Sequence, residues 1–315
     1  MMTCFFRRYI QIYRHLRRSH RWIFWWTAWG SGLLMSGFLG CSSVNSLPLT
    51  VDMTESPAQM ESSDAFRALV GADVVYLGEQ HDSAADHATQ LDIITALYAE
   101  NSDVAIALEM VQRPFQPALD AYLAGELDEA ELIIESEYDQ RWGFPWEFYA
   151  PILRFAQAHQ LPVVALNAPS EISRKVARQG LDSLEGEDFR YILPISEIDT
   201  QNEAYQELVR SPFSAHSSHG TFNFENFFAA QVLWDETMAM TVAEFRQANP
   251  ETQVIVLAGQ GHVVYGYGIP DRVARRLGDE LEQQIVLLNP PPTLEPEDAE
   301  GQPIADVFWY NLPNP

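Results

Sequence analysis

Two stretches far apart in the chain end in the same way. "VVYLGEQH" (74–81) and "VIVLAGQGH" (254–262) each run from an apolar segment into Gly-x-x-His. This places His81 and His262, with Glu79 beside the first, where a strand gives way to a loop. Reading past three other apolar runs gives Glu109 after "VAIAL" (104–108), Asn167 after "VVAL" (163–166) and Asn289 after "IVLL" (285–288). Two imidazoles and two carboxylates suit a divalent or iron centre or general acid–base chemistry. A divalent metal would draw on His81, His262 and Glu79. A hydrolase would work through Glu79, His81, Glu109 and His262 on an activated water.

Neighbouring residues leave alternatives open. His87 either joins His81 as a ligand or packs on the apolar stripe of its helix. Tyr265 and Tyr267 follow His262 and are either axial oxygen ligands for haem iron or packing aromatics beside a glycine-rich loop. Asp235 and Glu236 interrupt an apolar helix and either face the site or, in the preferred reading, form a solvated face. The chain has no G-x-S-x-G elbow, and no Walker loop, strand-borne G-x-G-x-x-G or H-E-x-x-H.

The elements that must position these residues follow from the same runs. Their apolarity is continuous rather than alternating, as expected of strands covered on both faces in a parallel sheet. Helical segments lie between them, among them 86–100 and 226–248. Strands alternating with helices predict an α/β fold with a mostly parallel central sheet flanked by helices. In such a sheet ligands bind beyond the carboxyl ends of the strands, so Glu79, His81, Glu109, Asn167 and His262 should converge there. Glycine at the start of each Gly-x-x-His is expected to let the chain turn sharply off the strand. Residues 111–160 and 169–225 exceed simple crossovers and are expected to form helical excursions, a cap over the site.

The first forty residues carry six arginines and no acid, then an apolar, Trp-rich stretch from Trp22 to Leu39 and Gly40-Cys41. A basic region, an apolar region and a small residue before the cut form a secretory signal. Residues 1–40 are thus expected to be a lipoprotein signal peptide and Cys41 the lipidated new N-terminus. The alternative is an uncleaved membrane anchor, since the apolar run nears the length of a span. Residues 41–62 read as a tether, and 63–315 as one domain outside the cytoplasm, held to the cell-envelope membrane.

Composition narrows the classes further. Cys4 and Cys41 are the only cysteines, which leaves the exported part no disulfide, thiol nucleophile or thiolate metal site. Its core must therefore hold it, and its length suffices for one. The chain carries −25, and −31 once the six leader arginines are removed. Such a surface repels phosphate backbones and excludes a nucleic-acid partner.

Five blocks in order, "YLGEQHDSAADH", "ALEM" ahead of "QRPFQPALDAYLAGELDE", "ALNAP", "AAQVLWDETMA" and "GQGHVVYGYGIPDRV", resemble the ChaN-like lipoproteins of the haem-binding-uptake group of the Tiki superfamily. The resemblance spans about 64–290. It implies an α/β fold with a helical excursion, haem bound at or near the strand-end crevice, iron or haem acquisition at a membrane, and dimers around cofacial haems. His81, His87, His262 and Tyr265 are the candidate haem-binding residues, with Trp142, Trp146 and Tyr267 as aromatic walls. The wider superfamily implies a different chemistry. Its Tiki branch are metal-dependent proteases with two Gly-x-x-His motifs, and its erythromycin-esterase-like branch are hydrolases using His and Glu.

Overall fold

A computed structural model describes residues 47–52, 63–216, 223–278, 280–291, 294–298 and 301–310. The expected signal peptide and Cys41 lie outside the described residues. Seven strands form one sheet: β1 (Leu49–Asp52), β2 (Val74–Glu79), β3 (Val104–Gln112), β4 (Val163–Asn167), β5 (Gln253–Gly259), β6 (Gln283–Leu288) and β7 (Val307–Tyr310). Their order is β1-β7-β6-β2-β5-β3-β4, and every neighbouring pair is parallel. β2 and β5, which carry the two histidine motifs, lie side by side with Glu79 opposite Gly259.

Five strands coincide with the apolar runs. The other two have four residues each and lie at one end of the sheet, β1 at its edge and β7 beside it. β1 falls inside the stretch read as a tether; Val51 is buried there, and the short alternation of Leu47, Leu49 and Val51 is outweighed by prolines and polar neighbours. It pairs with β7 along its whole length.

Side chains along the central strands alternate between two cores. Val75, Leu77, Ile255 and Leu257 point to one, Val74, Tyr76, Val254 and Val256 to the other. All eight are fully buried, which is why the runs read as continuously apolar. Truncating Leu77 or Leu257 to alanine should cost about 2–5 kcal/mol.

The first face is covered by α1 (Asp64–Gly71), α2 (Ala84–Glu100) and the excursion between β3 and β4. That excursion contains α3 (Gln116–Leu123), α4 (Glu129–Glu135), α5 (Tyr138–Arg141) and α6 (Ala150–His159). Ser63 caps α1 by accepting from Phe66 N, and Ser83 caps α2 by accepting from Asp86 N. On α2 the buried stripe includes His87, Gln90, Ile93, Ile94 and Leu97, while Leu91 and Tyr98 are only half-buried.

The second face carries α7 (Ser170–Gln179), α8 (Glu203–His216), α9 (Phe224–Ala248) and α10 (Ile269–Leu277). Asp235 and Glu236 of α9 are fully buried, which corrects their reading as a solvated face. A buried carboxylate needs partners. Glu236 finds Arg275 and Arg276 at 2.6 Å and Arg272 at 3.3 Å, which fastens α10 to α9. No helix among the described residues is long and apolar enough to cross a membrane.

Candidate functional site

The site is built from two imidazoles that approach one carboxylate from opposite sides. After β2 the chain turns at once into α2, and the turn is held by Asp86. Its carboxylate accepts from Gln80 N at 2.7 Å, from Ser83 Oγ and from Asn289 Nδ2, both at 2.8 Å. Burial pushes the Asp86 carboxyl up to about 6 against those bonds. The turn delivers His81 to the strand edge, where it is 4 % exposed.

His81 Nδ1 donates to Glu79 Oε1 at 2.7 Å. Tyr149 OH donates to the same oxygen at 2.7 Å, and Gln90 Nε2 to Oε2 at 2.6 Å. Glu79 is therefore fully engaged behind His81. Burial raises its carboxyl, but the His81 hydrogen bond and the charges of His87 and His81 outweigh that and hold it low. His87 also lies behind His81. Its Nε2 meets His81 O at 3.2 Å, its Nδ1 meets Gln90 Oε1 at 3.1 Å, and its ring stacks on Phe148.

His262 arrives from the short 3₁₀ turn Gln260–His262 after β5 and is 1 % exposed. Its Nδ1 donates to Asp235 Oδ1 at 2.6 Å, and Tyr205 OH donates to Asp235 Oδ2 at 2.7 Å. Gln231 Nε2 donates in turn to the Tyr205 hydroxyl. The two imidazoles are thus backed alike, each by a buried carboxylate that also accepts from a tyrosine.

Glu109 lies between their free edges. Its Oε1 is 3.4 Å from His262 Nε2 and 3.9 Å from His81 Nε2. Neither contact is a hydrogen bond, and His262 Nε2 has no hydrogen-bond partner. Gly259 N donates to Glu109 Oε2 at 2.7 Å and fixes the carboxylate. Burial would raise the Glu109 carboxyl, but the charges of His262 and His81 bring it to about 2. Burial would lower the His262 imidazole, but the carboxylates of Glu109 and Asp235 push it up to about 10. His81 is raised against its burial by Glu109 and then by Glu79.

The glycines of the two motifs serve close approach rather than a sharp turn. Gly78 lies within β2, where a Cβ would stand 2.8 Å from Val263 Cγ2. At Gly259 a Cβ would stand 2.8 Å from His81 Nε2. A side chain at either position would displace the elements that bring the histidines together.

His81 and Glu109 of the cluster line a pocket of about 190 Å³ together with Trp142, Phe144, Trp234, the buried Asn167, Arg141 and the exposed Arg174. Sequence reasoning missed Tyr149, Gln90 and Tyr205, which help orient the imidazoles, and of its two readings of Asp235 the site-facing one holds. The available signal was the pair of acids inside an apolar helix. Trp142 reaches the pocket, whereas Trp146 is buried and donates to Glu129. Tyr265 lies on the loop beyond His262, half-buried, with φ +56° and its ring stacked on Tyr267. It is not among the pocket's lining residues.

A haem macrocycle does not fit this pocket. Its volume falls below the roughly 300–1,000 Å³ typical of organic-ligand sites, His87 has both ring nitrogens engaged, and His81 Nε2 abuts Gly259. Among the described residues no group of three or more His, Cys, Asp or Glu is arranged to hold a metal ion.

Fold and site together define a parallel α/β protein with a His–carboxylate cluster at its carboxyl strand ends. The chain belongs to the family described as haem-binding uptake, Tiki superfamily, ChaN, whose profile matches residues 65–273. Among solved structures it is similar to ChaN of Campylobacter jejuni, described with cofacial haem binding. That match has a TM-score of 0.59 and 20% identity, and covers 81% of this chain and 91% of that one. A mutant erythromycin esterase, EreC, in its open conformation gives a TM-score of 0.42 at 15% identity, covering 72% of this chain and 75% of that one. The type III effector HopBA1 gives 0.44 at 12%, covering 78% and 92%. No curated protein sequence matches the chain.

Proposed function

We propose that this protein binds haem as an exported, lipid-anchored component of iron or haem acquisition. The observation that carries the reading is the match of the haem-binding uptake family over residues 65–273, which includes the tyrosine loop. Since the imidazole pocket does not fit a macrocycle, haem lies on the outer surface, with Tyr265 as the oxygen ligand and Tyr267 stacked beside it. A tyrosine in the left-handed region is held there against its own preference, which accords with a functional position. The cofacial haems of the Campylobacter jejuni protein support a second copy of this chain as a partner.

Titrating haem into the purified protein should give a saturable Soret shift that Tyr265→Phe alters and His81→Ala does not. A spectrum that follows free haem throughout would end the proposal, and loss of the shift only in His81→Ala would move the iron into the pocket. The anchor reading rests on the arginine-rich leader and Cys41. It expects fatty-acid labelling of the protein that disappears in Cys41→Ser.

A second reading has its own observation. His81 and His262 each have Nδ1 on a buried carboxylate and Nε2 facing Glu109. Carboxylate-backed imidazoles of this kind orient metal ligands or act as general acid and base. In this reading the pocket hydrolyses an ester or peptide, with Glu109 and the imidazoles handling protons. An ester and peptide panel on wild type and His81→Ala tests it. No turnover would remove it.

A further inference from the structure

We infer that the strand-end pocket accepts a small carboxylate-bearing molecule, with the carboxylate on Arg174 at the mouth and an N–H or O–H donor on Asn167 Oδ1 within. The inference deepens the second reading, from which it takes only that the pocket is a ligand site. It requires neither haem nor turnover.

The first observation is an unmet acceptor. Asn167 ends β4 and is 8 % exposed. Its Nδ2 donates to Glu109 O at 3.1 Å, while its Oδ1 is buried without a hydrogen-bond partner. A buried acceptor left unpaired is costly, and such groups in folded proteins are ordinarily matched by protein, water or ligand. Asn167 lines the pocket, so a donor on a bound molecule would complete it.

The second observation is a cation at the mouth whose ion pair is weak. Arg174 Nη2 donates to Ser170 Oγ at 2.6 Å and lies 4.0 Å from Glu171. That glutamate binds Arg141 more closely, at 3.0 Å. Arg174 is 45% exposed and can turn its guanidinium to a carboxylate, which it suits in a two-pronged bond. On a chain this acidic, an arginine pair at a pocket mouth is a local exception.

The ends of the pocket fix the ligand's orientation. Glu109 is held ionised at the deep end and repels an anion there, so the carboxylate faces outward and the donor inward. Trp142, Phe144 and Trp234 supply apolar walls for the part between. A pocket of about 190 Å³ admits only a small molecule. An acylated amino acid has all three features.

The test uses N-acetyl-leucine and N-acetyl-tyrosine, each beside its neutral carboxamide, with the full protein. Tryptophan fluorescence and melting temperature are the readouts, since Trp142 and Trp234 line the pocket. The carboxylates should bind about tenfold more tightly than the carboxamides, as expected for one charge-assisted contact. Arg174→Gln should erase that difference and Arg174→Lys should keep most of it. N-methylation of the acetamide, which removes the donor, should weaken binding by a similar factor. Carboxylate binding without any ester or peptide turnover would uphold the inference while the hydrolase reading fell. Absence of binding by every probe, equal binding of acid and amide, or indifference to Arg174→Gln would overturn it.

Discussion

The two imidazoles do the same thing with opposite construction. His81 is backed by Glu79, two residues away on the same strand end, and it borders the pocket. His262 is backed by Asp235, 27 residues earlier on α9, and it is sealed beneath Trp234. The first pair is supported from one face of the sheet by α2 and Tyr149, the second from the other face by α8 and α9. Only Glu109 touches both. The difference teaches that a carboxylate-backed imidazole can be assembled locally or across the sheet, and that only the local kind leaves a short motif.

The comparison is broken most forcefully by removing one backing carboxylate. Asp235→Ala leaves a buried imidazolium and the Tyr205 hydroxyl without their partner, and should destabilise the fold by about 3–5 kcal/mol. Glu79→Ala should cost less, about 1–3 kcal/mol, because pocket water can reach the side of His81. Urea unfolding of both variants checks this, and an equal or reversed order would remove the distinction between a sealed and an open half.

A pH series sharpens it next. The His262 imidazole is raised from 6.5 to about 10 in the folded protein. Its contribution is therefore complete below pH 6.5 and is lost as pH rises towards 10. The Glu109 carboxyl is lowered from 4.5 to about 2, so its contribution is complete above pH 4.5 and is lost as pH falls towards 2. Stability should fall by about 1 kcal/mol per pH unit between pH 7 and 9. In His262→Gln this slope should flatten. A wild-type urea midpoint constant over that range would show that the sealed imidazole is not charged.

The smallest effects come from the two tyrosines. Tyr149→Phe and Tyr205→Phe each remove one hydrogen bond to a buried carboxylate and should cost about 1–2 kcal/mol. Because they act from opposite faces, their sum in the double variant should hold within about 0.5 kcal/mol. A larger coupling would show that Glu109 ties the halves into one unit.

Much of this was legible in the sequence for a physical reason. Strands buried on both faces must be continuously apolar, so β2 to β6 announced themselves, and the polar residues at their ends marked the edge where the histidines and carboxylates gather. Glu79 and His81 could be paired on paper because their distance along the chain is their distance in space. β1 was passed over because prolines and polar residues around it outweighed the short alternation of Leu47, Leu49 and Val51, which becomes a strand by pairing with β7. Asp235 was misread because a carboxylate on an apolar helix has no meaning until the helix lies on the sheet and His262 is found beneath it. The sequence determined the central strands, the edge that carries the polar cluster and the local pair. The tertiary structure alone decided that α9 supplies the second carboxylate, that Tyr149 and Tyr205 complete both sides, and that the pocket beside His81 and Glu109 has a volume of about 190 Å³. Those depend on packing between elements far apart in the chain, where spacing carries no record of contact.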